Sequence, residues 1–198
     1  MTKIEYNEKT PKSSRQEIIQ IVNDHIESEW IIMIERTGID ENEKIEGFPL
    51  ILSSDLLVMT RIIDFHDEGF VVIRVEDITA AYSKESDAFY EKICVKEGLR
   101  ERKNENLIVN VTDFTCVLEQ LLDYRKFITV QCEIEKNELS FSIGKILDID
   151  SNIVCFSNFD KMGVWEDSNR MIPIDKITLI NIGDYYSNIF YKYMDSQC

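Results

Sequence analysis

The chain is poor in the two residues that break regular structure, with 3 prolines and 7 glycines in 198 residues. That scarcity excludes a collagen-like, proline-rich or low-complexity chain. It also lacks any apolar run near the ~20 residues a membrane-crossing helix needs; among the longest is Trp30 to Ile34. The opening stretch MTKIEYNEKTPKSSRQE has no apolar centre of the secretory-leader kind, so no leader is expected. Cysteine is sparse and odd in number: Cys94, Cys116, Cys132, Cys155 and Cys198, with no CxxC spacing. This argues against a disulfide framework or a zinc site and for buried thiols in a reducing compartment, the cytoplasm.

Catalytic signatures are missing as well. There is no GxSxG elbow, no GxGxxG turn and no GxxxxGK[ST] loop. Histidine occurs only at positions 25 and 66. The stretch Asp64-Phe65-His66-Asp67-Glu68-Gly69 offers metal-binding residue types. It reads better as a polar hairpin loop, because the later stretch Asn158-Phe159-Asp160-Lys161-Met162-Gly163 keeps the glycine and loses the histidine. The expectation is a protein that is not an enzyme and has no cofactor and no metal.

Positive charge is the last scarcity. Against 37 acidic side chains stand 22 Lys and Arg, a net charge of −15. Residues 1–99 carry 11 basic against 21 acidic side chains, and residues 100–198 carry 11 against 16. Binding a polyanion requires neutralising its phosphates, so this balance disfavours nucleic acid or an anionic membrane. A neutral or basic protein partner suits it, and a homo-oligomer is compatible with it.

What the chain does contain is an internal repeat. At an offset of 97 residues, EIIQIVNDHIESEW (17–30) lies over FTCVLEQLLDYRKF (114–127) without a gap. Trp30 then meets Phe127, Ile31 meets Ile128, Met33 meets Val130 and Gly47 meets Gly144. The stretches RVEDITAAYS (74–83) and PIDKITLINIG (173–183) both place an acid before an Ile-Thr pair. Both copies close on aromatics, SDAFYEKIC (86–94) and DYYSNIFYKYM (184–194). A fixed period marks a repeated structural unit.

Each copy shows the same order of patterns. Ile18, Ile21, Val22 and Ile26 fall at helical spacing, which predicts a helix over 16–28. Strands are expected at 30–37, 47–53, 55–65, 69–76 and 78–82, then a helix from 86. The second copy predicts a helix over 114–125 and strands near 126–134, 139–148, 152–158, 162–165 with 170–174, and 177–181. A helix over 184–194 closes it. The fold class expected is mainly β with flanking helices (α+β). The units are 1–94 and 114–198, joined by a linker at 95–113.

A helix, five short strands and a glycine in the second strand resemble the Sm-like (SH3-like) barrel, with Gly47 and Gly144 where that family's sheet bends. The resemblance covers about 60 residues in each half and implies two tandem five-stranded barrels. It also implies RNA binding through an Asp and an Asn between strands two and three, backed by a basic residue between strands four and five. The chain departs from this pattern. Ser53-Ser54-Asp55 has no following Asn, Asp150-Ser151-Asn152 is more tightly spaced, and the later loops hold Glu76-Asp77 and Asp175-Lys176. Asp150 and Asn152 are the residues that an RNA-binding alternative would use.

The favoured expectation is protein binding, with a neutraliser (immunity-type protein) of a basic toxin as its more specific form. Tyr186, Phe190 and Tyr193 share one side of the last helix, and Trp165 sits beside Glu166 and Asp167. Tyrosine and tryptophan are enriched where proteins meet, which makes these four the candidate contact residues.

Overall fold

The computed structural model describes residues 14–100, 108, 110–135 and 138–194. In the first half these residues form α1 (Arg15–Ser28), β1 (Ile32–Glu35), β2 (Lys44–Gly47), β3 (Pro49–Leu52), β4 (Leu56–Ile63), β5 (His66–Arg74), β6 (Ala80–Tyr82) and α2 (Asp87–Lys96). In the second half they form α3 (Phe114–Leu121), β7 (Ile128–Glu135), β8 (Glu138–Asp150), β9 (Ile153–Asn158), β10 (Arg170–Pro173), β11 (Ile177–Ile182) and α4 (Tyr185–Met194). This is an α+β protein, mainly β. The middle of the expected linker, 101–107 with 109, and Cys198 lie outside the described residues.

Helix starts are set locally. The Ser14 hydroxyl accepts from the Glu17 N–H while the Glu17 carboxylate accepts from the Ser14 N–H, a reciprocal cap on α1. Asp113 caps α3 by accepting from the Cys116 N–H. Ile18 and Val22 of α1, and Phe114, Val117, Leu118 and Leu121 of α3, are buried on one face of each helix.

The strands form two sheets, β2-β1-β6 and β10-β9-β8-β7-β11-β5-β4-β3. Only Phe48 separates β2 from β3, so the expected second strand passes from one sheet into the other. Read from the last strand of each half, the order is β6-β1-β2, then β3-β4-β5, and β11-β7-β8-β9-β10. The two halves therefore share one strand order, and short 3-10 turns at Val75–Asp77 and Ile174–Lys176 precede β6 and β11 alike.

Gly47 and Gly144 mark tight approaches. A Cβ at Gly47 would lie 1.9 Å from the Thr60 carbonyl oxygen, and one at Gly144 would lie 1.9 Å from that of Ser157. Gly144 also holds φ at +154°, a value side chains rarely adopt.

Two separate closed barrels are not what the strands form. β5 pairs antiparallel with β11, from Ile73↔Leu179 to Phe70↔Ile182, so one eight-stranded sheet crosses both halves. The reason lies in β5 itself. Phe70, Val71, Val72 and Ile73 are all buried, so the side chains on both faces of the strand are covered. Leu57, Met59, Val71 and Ile73 face a core with Ile18 and Val22 of α1. Leu56, Val58, Phe70 and Val72 face a second core with Val117, Leu118 and Leu121 of α3. Each such Val or Leu contributes roughly 1.5–3 kcal/mol on burial, so sharing the strand between cores stabilises both.

Other boundaries move for local reasons. The β4–β5 turn is Asp64-Phe65, with φ of 49° and 63°, and β5 therefore begins at His66 rather than 69. Residues 162–165 form no strand and hold only the isolated bridge Phe159↔Trp165. α3 ends at Leu121, short of the expected 125.

Arg36 fastens the halves together. It is fully buried, and its guanidinium donates to Glu43, to the Thr178 carbonyl (2.9 Å) and to Gln131 Oε1 (3.0 Å). Among the described residues, no helix is long and apolar enough to cross a membrane.

Candidate protein-binding site

The loop after β9 is shaped by Asn158 and Asp160. Asn158 is buried; its Oδ1 accepts from the Ile143 N–H (2.8 Å) and its Nδ2 donates to Glu166 Oε1 (2.8 Å). The Asp160 carboxylate accepts from the N–H groups of Met162 (2.8 Å) and Val164 (3.0 Å), which folds 160–164 into a tight knuckle. The side chains at its tip then have nowhere to pack, and Met162 and Val164 are 75% and 57% exposed.

α4 lies against this knuckle. Asp184 accepts from the Ser187 N–H (2.8 Å) and hydroxyl (2.7 Å) at the head of the helix. Phe190 then meets Phe159 with ring centroids 5.0 Å apart, and Tyr186 stacks on Phe190 at 4.9 Å. Trp165 stands edge-on to both Phe127 (5.5 Å) and Phe159 (5.4 Å). On the far side Tyr191 meets Phe127 at 5.4 Å, with Lys145 Nζ 5.3 Å above the Phe127 ring. Such ring contacts are worth about 0.5–1.5 kcal/mol each beyond area burial, so the patch is held rigid.

Three of the four expected contact residues, Trp165, Tyr186 and Phe190, thus join one ring network through Phe159. Tyr193 is on the same helix, one turn on and exposed. Trp165 keeps 40% of its surface open and Tyr186 54%, so the rings pack on one side and face solvent on the other. Phe127 and Phe159, which carry the network, were passed over in the sequence. The Trp30/Phe127 match in the repeat and the aromatic in NFDKMG were the signals available.

The RNA-type residues fare differently. Asp150 ends β8 and Asn152 lies in the β8–β9 turn, and the Asp150 carboxylate accepts from the Ser151 hydroxyl (3.0 Å). Asn152 borders a cleft of about 510 Å³ whose lining includes Arg15, Asp55, Arg74, Glu76 and Asp175; Asp150 is not part of it. Both arginines there are engaged. Arg74 donates to the carbonyls of Ile174 (3.1 Å) and Asp175 (2.7 Å), and Arg15 donates to that of Ser54 (2.6 Å). A phosphate entering this cleft meets cations held by carbonyls and already paired with Asp55 and Glu76.

In the His66 stretch the polar groups bind backbone. His66 Nδ1 lies 2.8 Å from the Asp64 carbonyl, and Asp67 accepts from the Gly69 N–H at 2.7 Å. Among the described residues no three His, Cys, Asp or Glu side chains gather to hold a metal. Cys94 and Cys132 are buried thiols, each pushed up to about 11 by desolvation. No family model, curated protein or solved structure matches the chain.

Proposed function

We propose that this chain is a non-catalytic, cytoplasmic protein-binding protein built from two Sm-like units, and that it grips its partner with the aromatic face of the β9–β10 loop and α4. The observation that carries the reading is that Met162, Val164, Trp165, Tyr186 and Tyr193 are all exposed, with Trp165 and Tyr186 packed on the rings of Phe159 and Phe190. Exposed apolar patches that are rigid and rimmed by charge are favoured as protein contacts. The common strand order of the halves and the close approaches at Gly47 and Gly144 support the Sm-like reading. The −15 net charge favours a basic partner, the immunity-type reading being its most specific form, because opposite charge speeds and orients encounter.

A photo-crosslinking residue placed at 165 or 186 in cells that make the protein tests this. The expected result is one discrete protein conjugate, absent when the same residue is placed at exposed position 41. Failure at both 165 and 186 sinks the reading. Retention of an RNA oligomer at about 50 mM salt, lost on Asn152→Ala, replaces it with RNA binding.

A further inference from the structure

Phe65 is placed where folding alone gives it little reason to be. The β4–β5 hairpin turns on two residues, Asp64 (φ 49°) and Phe65 (φ 63°). Turns of this kind favour Asn-Gly or Asp-Gly because both positions need positive φ, which a bulky side chain resists. Burial does not offset that strain, since Phe65 remains 41% exposed and Ile63 beside it 46%. Among the described residues its ring partner is Tyr90 of α2, 4.4 Å away, whose hydroxyl accepts from the Phe65 N–H at 3.4 Å. Strain kept without burial is a mark of sites that serve something other than folding.

The hairpin tip is also joined to the aromatic face of the second half. Glu68, three residues past Phe65, accepts from the N–H of Tyr185, the first residue of α4, at 3.1 Å. Tyr185 is 66% exposed, and beside it in α4 Tyr186 meets Phe190, which reaches Trp165 through Phe159. Asp64, Asp67 and Glu68 lie at the tip, and positions 64–68 contain no Lys or Arg.

We infer that the Phe65 hairpin tip and the α4 face form a single docking strip, which takes a basic amphipathic helix of a partner protein. This rests on the reading that the α4 face binds protein. The helix lays its apolar side on Phe65, Tyr186, Phe190 and Trp165, and its flanking Lys or Arg meet the carboxylates of Asp64 and Glu68. A second copy of this chain is the poorer occupant, because it brings the same acidic tip and a further −15 of charge.

The probe is an 18-residue Leu/Lys amphipathic peptide, with a Leu/Glu peptide as control, followed by Trp165 emission and by calorimetry. Phe65→Gly is the informative variant, because glycine accepts positive φ and the fold keeps or gains thermal stability. The expected result is that Leu/Lys binds, that Leu/Glu does not, and that Phe65→Gly and Trp165→Ala each weaken binding at least about fivefold. If Trp165→Ala weakens binding while Phe65→Gly leaves it unchanged, the strip is overturned and the α4 reading stands. Equal binding of both peptides, or none of Leu/Lys, overturns the basic-helix occupant, while crosslinking at 165 still decides the function. A dimer in sedimentation that Phe65→Gly dissociates replaces the partner with a second copy.

Discussion

Replacing Arg36 by methionine removes a fully buried charge that ties β1's end to β7 and β11. Its guanidinium serves Glu43, Gln131 and the Thr178 carbonyl, and Glu43 is itself only 13% exposed at the side chain. Methionine fills similar volume, so little of the loss comes from a cavity. The cost comes from a carboxylate and a carbonyl that lose this donor, and from an amide left with the Thr178 hydroxyl at 3.4 Å. Removing one partner of a buried pair costs about 3–5 kcal/mol, a large share of the 5–15 kcal/mol that holds a typical domain together. Urea unfolding followed by circular dichroism measures it, with the midpoint falling and the slope unchanged. The double variant Arg36→Met with Glu43→Leu recovers much of the loss, because apolar replacement of a whole buried pair is often neutral. A single-variant loss under about 1 kcal/mol, or no recovery in the double, refutes the buried-clamp account.

Other perturbations probe other parts of the fold. Burial pushes the Glu91 carboxyl up to about 7 despite Arg100 at 2.8 Å. The folded state therefore holds this proton more tightly than the unfolded chain, whose ordinary value is 4.5. Stability from this group is full below pH 4.5 and lost as pH rises through 7, by roughly 3 kcal/mol. Glu91→Gln flattens that slope in unfolding measured from pH 5 to 8; an unchanged slope rules the assignment out. His25 is buried, with Nδ1 2.7 Å from the Ile21 carbonyl and Nε2 3.1 Å from the Ser83 hydroxyl, and desolvation lowers its pKa. Its contribution is present above its ordinary 6.5 and fades as pH falls below it, so His25→Gln is relatively less sensitive to acid in the same titration. Gly144→Ala forces a methyl against the Ser157 carbonyl and costs on the order of 3 kcal/mol in urea unfolding, whereas Trp165→Ala costs about 1–3 kcal/mol, because it removes the edge-on contacts to Phe127 and Phe159.

Much of the local structure was legible. The helical spacing of Ile18, Val22 and Ile26 and the glycines at 47 and 144 each act over a few residues or one backbone approach. So does the spacing that gathers Tyr186, Phe190 and Tyr193 on one side of α4. These are short-range consequences of side-chain shape, which a linear pattern records. The repeat led us to expect one order of elements in both halves, and the strand orders of the sheets are alike from half to half.

The joining of the halves lay beyond that reach. Backbone hydrogen bonds between β5 and β11 look alike whichever strands make them, so nothing in residues 70–73 names Leu179 to Ile182 as partners. The run Phe70-Val71-Val72-Ile73 did carry the hint that both faces would be covered. The positive φ of Phe65 was hidden for a related reason, since register across β4 and β5 outweighed the turn's own preference for glycine. Residue order determined the elements, while the sheet shared between two cores decided which surfaces, and so which aromatics, were left facing solvent.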